Sequence, residues 1–386
     1  MKELLANRIR EKRERAGLSQ TQLAEKVGWA GHQTIQQIEA GVRELKAWEL
    51  VKVASALEVS LYDLLPNEEK STGEESVTKP YILWREKPQQ ALQVESAFLK
   101  RCEDFCLVET LVETGFSTSW QLPHFKIELE DLSYEKVTDL AEETRRHLDL
   151  GAFPARTLVH ALENRFNVKF FVLDTEGHGS AASYRGDSGD CILVASSEPA
   201  WRQNFSIAHE LFHLITWDEK LFASLEEDEE LRELNEKFAN AFAAALLMPG
   251  ESVRAELRKL CGEGWIKHAT LVALAQQFEV SMAALLWRLH DLRYFSRSEV
   301  EKHLKDVTLI ALDRHNRFAQ TKTENSPVRA LGSKFARTAY LAYSYGKISR
   351  SRLARMLSVS LPELANRLEQ LGLSEVSDDE IKINYS

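Results

Sequence analysis

His209, Glu210 and His213 are spaced so that a helix carries both imidazoles on one face. Residues four apart on a helix stand one above the other, so the two rings can reach a single ion, and zinc takes imidazole nitrogen readily. Glu210, next to the first histidine, is placed to accept a proton from water. Three fixed residues also occur together by chance, but the segment around them, FSIAHELFHLITW (205–217), is apolar nearly all round. Burying two imidazoles and a carboxylate there is costly unless they are paired or metal-bound, and a metal site is the sharper reading than a hydrogen-bonded histidine pair. Catalytic zinc uses three protein ligands and leaves a fourth position for water. The third ligand is expected on LRELNEKFANAFAAALLMPG (231–250), which starts acidic and turns apolar. Glu229, Glu230, Glu233 and Glu236 compete. Glu236 aligns at helical spacing with Asn240, Ala243 and Leu247, and Glu233 lies on the same face a turn nearer solvent. Ala239, Ala243, Ala244 and Ala245 would let this helix approach the first closely.

Together the two segments resemble the ImmA/IrrE family of zinc metallopeptidases. One family helix reads aromatic-x-x-Ala-His-Glu-Leu-x-His, matched from Phe205 to His213. The other is matched by Glu236, Ala239, Asn240, Phe242, Ala243, Ala244, Leu246, Leu247, Met248 and Pro249. The resemblance covers about residues 150–290 and implies that His209, His213 and Glu236 ligate zinc while Glu210 is the general base. Phe212 stands where many members have Gly, and its bulk is expected to narrow the space beside the site. Tyr184 and His178, in a turn-rich loop, are candidate oxyanion donors.

A second chemistry sits at the other end of the chain. In LSQTQLAEKVGWAGHQTIQQIEAG (18–41), Leu18, Leu23, Ala24, Val27, Ile35 and Ile38 make an apolar skeleton, with Ser19 a good N-cap for the helix from Gln20. The other positions of the second helix are rich in amides, and Gln offers the donor and acceptor pair that suits adenine in the major groove. These residues resemble the XRE and phage-repressor helix-turn-helix family over nearly all of 1–66. That resemblance makes Gln33, Thr34 and Gln37 the base readers, with His32 beside them. Gln20 is then expected at phosphate, and Arg43 and Lys46 follow in the next loop. Against this stands a small helical bundle used to dimerise or to bind protein. Residues 1–66 hold ten Lys/Arg against nine Asp/Glu, a net of +1, so useful affinity for DNA calls for a homodimer.

The elements that must position these groups follow from patterning. The 386 residues are too many for one core, and 44% hydrophobic with 28% charged is globular composition. No apolar run reaches the ~18 residues of a membrane span, no secretion signal opens the chain, and four cysteines make no disulfide framework, so no membrane partner and a cytoplasmic location are expected. Cys102 and Cys106 share a helix face and read as structural. The fold class expected is mainly α with a small β-sheet. Five segments are expected: 1–66 helix-turn-helix, 67–79 linker around PNEEKSTGEES, 80–150 helical spacer, 151–298 peptidase-like domain, and 299–386 helical with a polar break at 319–328. VKFFVL (168–173) and CILVAS (191–196) read as strands, DTEGHGSAASYRGDSGD between them as turns, and the chain is helical again from Phe205. Ala54, Ala275 and Ala354 each precede Val-Ser by five residues, the mark of a reused helical corner rather than of three DNA readers. Residues 218–236 carry nine acids against two bases, a net of −7, read as a solvated face.

Two functions are compatible with these residues. In one, a regulator bound to double-stranded DNA, at an operator in its own promoter, carries a zinc peptidase that cleaves a regulatory protein partner, or the chain itself, in a stress or mobile-element response. In the other, the chain is the antitoxin of a toxin–antitoxin pair, and the zinc domain grips the toxin or a signal without proteolysis. An intact Glu210 favours chemistry, since a structural zinc site needs no base.

Overall fold

The structure, a computed structural model, describes residues 2–57 (save 17, 30, 44 and 46), 59, 64, 82–85, 91–112, 120–175, 180–261, 264–320 and 332–373. The 66–76 linker, Lys46 and His178 lie outside them. The chain divides into two compact units, Met1–Thr78 and Lys79–Ser386.

The first unit packs α1 (Lys2–Arg15), α2 (Gln20–Val27), α3 (Gln33–Glu39) and α4 (Ala47–Leu57) around Ile9, Leu23, Ala24, Ile35, Ile38 and Val53. Ser19 caps α2 reciprocally with Gln22, and Gly28 ends it at φ 79°, a left-handed C-cap that costs a residue with Cβ.

In the second unit four strands pair in the order β1 (Ile82–Trp84), β3 (Ala181–Gly186), β4 (Gly189–Ala195) and β2 (Lys169–Leu173). β3 is antiparallel to both β1 and β4, while β2 and β4 are parallel. Side-chain alternation divides the sheet's faces. Phe170, Ile192 and Val194 join a core with Ile207, Ala208 and Leu211 of α8 (Ala200–Ile215). Phe171, Ala182, Cys191 and Leu193 join another, with Phe98 and Phe105 of α5 (Ala91–Val112) and Phe335 and Ala339 of α16 (Ser333–Ser344). The first core also takes in α6 (Tyr134–His147), α7 (Leu158–Asn164), α9 (Glu219–Glu227), α10 (Glu229–Leu247) and α11 (Gly250–Cys261). Beyond these come α12 (His268–Gln277), α13 (Met282–Asp291), α14 (Arg297–Leu304) and α15 (Val307–Gln320), then α16, α17 (Arg350–Met356) and α18 (Leu364–Gln370).

The mainly α architecture with a small sheet therefore holds, with three local corrections. The stretch read as turns contains β3, whose small Ala181, Ala182 and Ser183 have little β-propensity but are buried between helices on both faces. The segment read as helical from residue 80 opens with β1, an edge strand too short to show a period. Helix α8 begins at Ala200, before Phe205, behind the N-cap residue Pro199. In the acidic run, Asp218 and Asp228 each accept backbone N–H bonds at the heads of α9 and α10.

The repeated corner is one hydrogen-bond pattern used three times. Val59, Val280 and Val359 each donate N–H to the carbonyl five residues back, on Ala54, Ala275 and Ala354. Glu279 and Ser358, which precede the latter two valines, take φ 52° and 55°, the left-handed residue of a Schellman end. Ser281 then caps α13. Among the described residues no single helix is long and apolar enough to cross a membrane. The apolar pair α12 and α13 is bent by 101° and contributes Leu271, Leu274, Leu285 and Leu289 to the core.

Candidate functional site

Helix α8 lies between the sheet and α10, and from Ser206 to Ile215 every residue is buried. His209 and His213 point toward α10, whose small Ala239 and Ala243 allow the two helices to close. Three groups meet there. His209 Nε2 is 3.1 Å from Glu236 Oε2, His213 Nε2 is 3.4 Å from Glu236 Oε1, and the two Nε2 atoms are 3.2 Å apart. Glu233 turns away, 63% exposed and paired with Lys237 at 3.1 Å. Glu229 pairs with Arg232.

This triangle fits a metal. A tetrahedral zinc with ligands at ~2.0–2.1 Å separates its ligand atoms by about 3.3 Å, close to the three spacings found. The far sides of the rings fit as well. Nδ1 of His209 faces Asn240 Oδ1 at 3.2 Å, so a proton on Nδ1 leaves Nε2 free to ligate. Nδ1 of His213 is 3.5 Å from the Asn235 amide nitrogen, while Asn235 Oδ1 is buried without a partner among the described residues. Turning that amide over lets Oδ1 accept from a proton on Nδ1. Burial lowers the pKa of His209 to about 4. Burial also opposes a proton on His213, but its hydrogen bond with Glu236 prevails and raises it. Glu236 is held at about 2: burial works against its charge, and the bonds from both histidines outweigh it.

Glu210 points to the sheet side. Its carboxylate is fully buried, and neither oxygen has a hydrogen-bond partner among the described residues. Burial raises its pKa to about 7, against the nearby charge of His213 and the Ser183 hydroxyl. Ser183 itself is buried on the α8 face of β3, its Oγ also without a partner among those residues. Arg85, just past β1, donates to Ser206 Oγ at 2.8 Å and lies over the Phe205 ring. Its charge favours the ionised form of Glu210. Neither Ser183 nor Arg85 was singled out from sequence: each reaches the site only through strand pairing, and a lone Ser or Arg carries no spacing signal.

One expectation changes. Tyr184 stands on the opposite face of the sheet from Ser183, packed against Phe98 at 6.4 Å, so it is not aimed at the histidines. Phe212 is buried in the core against Phe242 at 5.5 Å, and its ring also lies 5.7 Å from that of His213.

In the first unit His32, Gln33 and Gln37 are exposed along α3, and Thr34 is half-buried. Gln20 and Arg43 are engaged internally: the Gln20 amide donates to Glu39 at 2.8 Å, and Arg43 pairs with Glu49 at 2.7 Å. Glu39 is buried at the end of α3 and receives Arg13 through two bonds, of 2.6 and 3.0 Å, while Arg10 donates to its backbone carbonyl. The basic stretch of α1 thus uses two arginines to hold the end of α3.

Residues 163–290 match the family model described as IrrE N-terminal-like domain, and residues 9–64 match that described as Helix-turn-helix. The Radiation response metalloprotease IrrE of Deinococcus deserti is 34% identical over 104 residues, 26% of this chain and 36% of that protein. Its namesake from Deinococcus radiodurans is 35% identical over 104 residues, 26% and 30% respectively. The matched stretch thus spans about a third of the length of these curated relatives. A solved Mycobacterium tuberculosis transcriptional regulator is similar at 17% identity and a TM-score of 0.29, over 48% of this chain and 51% of that one, too loosely to add to the fold.

Proposed function

We propose, for a chain that joins an XRE-type helix-turn-helix domain to an ImmA/IrrE-family peptidase domain, the role of a DNA-binding regulator that hydrolyses a peptide bond in a regulatory protein. The observation that carries this is Glu210, a buried carboxylate with a pKa near 7 and no partner among the described residues, beside a three-ligand cluster. A purely structural metal site has no use for such a group.

In this reading His209, His213 and Glu236 hold zinc, which when bound supplies Lewis acidity to water and to the scissile carbonyl. Glu210 takes the proton from the attacking water and returns it to the leaving amine nitrogen. Asn240 and Asn235 keep the two imidazoles in the ligating tautomer. The exposed Gln33 and Gln37 read bases in the major groove, and a homodimer offsets the modest charge of the first unit.

The test is cleavage. The purified chain and a Glu210→Gln variant are incubated with candidate repressor or toxin proteins, with and without a chelator. Hydrolysis by the wild type alone, lost with chelator, is expected. Stable complex formation by both proteins without any cleavage would instead favour the non-proteolytic antitoxin.

A further inference from the structure

We propose that His268, His303 and Asp306 form a second cation site, of the zinc class, that ties the start of α12 to the corner between α14 and α15. Apart from the site already described, it is the one group among the described residues in which three such ligand atoms lie within 4.8 Å of one another. His268 opens α12, His303 sits in the last turn of α14, and Asp306 stands before α15.

The two oxygens of Asp306 have separate tasks. Oδ1 accepts the N–H groups of Thr308 at 2.8 Å and Leu309 at 3.1 Å, capping α15. Oδ2 faces His268 Nε2 at 3.4 Å. Helix capping therefore leaves one oxygen for a ligand. The His303 ring lies against Phe295 at 5.1 Å and His268 at 5.9 Å, and its Nδ1 is buried without a hydrogen-bond partner among the described residues. A His268–Asp306 ion pair accounts for two members of the cluster and leaves that nitrogen unexplained.

Ligand atoms on a tetrahedral zinc stand about 3.3 Å apart; the His268–Asp306 pair is at 3.4 Å, and a His303 nitrogen lies within 4.8 Å of both. Two imidazoles and one carboxylate suit zinc, cobalt or nickel better than magnesium or calcium. All three residues are half-buried, so solvent reaches the group. His303 and Asp306 lie beyond residue 290, where the IrrE-like match ends. A bound cation would thus fasten the following helices to that domain.

The experiment strips the full-length chain with a chelator, dialyses it against zinc chloride and counts zinc per chain. Two are expected in the wild type. His303→Ala and Asp306→Asn should each lose one while keeping the zinc that His209→Ala removes; Asn keeps the helix cap, so the second variant decides if the first misfolds. Unchanged zinc content in Asp306→Asn and in folded His303→Ala would overturn the proposal. Displacement of this zinc by millimolar magnesium would overturn the zinc-class assignment. If the peptidase-like site binds nothing, the wild type holds one zinc, lost in Asp306→Asn and kept in His209→Ala, so the two readings fail separately.

Discussion

Asn240 Oδ1 stands 3.2 Å from Nδ1 of His209, one helical turn beyond Glu236 on α10. The same helix that brings a carboxylate to the histidines thus also sets the tautomer of one of them. Asn240→Ala should leave the fold intact and weaken zinc binding about 10- to 100-fold, read by competition with a chromogenic chelator. An unchanged affinity would show that the Asn240 contact does not aim the ring.

The two acidic candidates on α10 can be separated in the same assay. Glu236→Ala, like His209→Ala and His213→Ala, should lose most of the zinc at this site. Glu233→Ala, which removes an exposed partner of Lys237, should keep it. The reverse order would move the third ligand one turn toward solvent.

In the first unit the proposed base readers and the residues that hold α3 are different side chains. Gln33→Ala and Gln37→Ala, both exposed on α3, should each cost about 1–3 kcal/mol at one base position of the operator. Arg13→Ala takes two bonds from the buried Glu39 carboxylate and leaves it Arg10 at 3.7 Å and the Gln20 amide. It should destabilise the unit by about 1–3 kcal/mol and weaken binding to every sequence alike. Thermal melting of the variants alongside titration with labelled promoter DNA distinguishes the two classes.

Glu163 on α7 gives a pH test remote from the metal cluster. Burial raises its pKa to about 7 from an ordinary 4.5, against the charges of Lys334 and Arg337, and its Oε1 is buried with no partner among the described residues. The folded chain holds this proton where the unfolded chain has released it. Its contribution to stability is therefore full below pH 4.5 and is lost as pH rises through about 7. Glu163→Gln should be more stable than the wild type at about pH 8, by up to about 3 kcal/mol. That gap should close toward pH 4.5. Denaturant unfolding at both ends of the range checks it, and a gap independent of pH would refute the assignment.

Much of this protein is legible from local spacing. A His-x-x-x-His pair on a helix needs only the period of that helix, so the face shared by His209 and His213 follows from sequence alone. The Ala-to-Val corners are equally local, because a Schellman end closes within six residues. The amide-rich surface of α3 follows from the apolar positions that must turn inward.

Tertiary structure decided what depends on packing depth and on partners distant in sequence. Glu233 and Glu236 share a helical face, and only the way α10 lies on α8 puts one at the histidines and the other in solvent. The strand Ala181–Gly186 has little propensity of its own; β4 pairs with it across the short Asp187–Ser188 turn, but β1, from far back in the chain, reaches it only when the fold closes. That pairing also sends Ser183 toward Glu210 and Tyr184 to the far face. Arg13 meets Glu39 across 26 residues, and His268 meets Asp306 across a longer span still. Periodicity says which way a side chain points from its own element; which buried group it finds there is settled only when the elements close on one another.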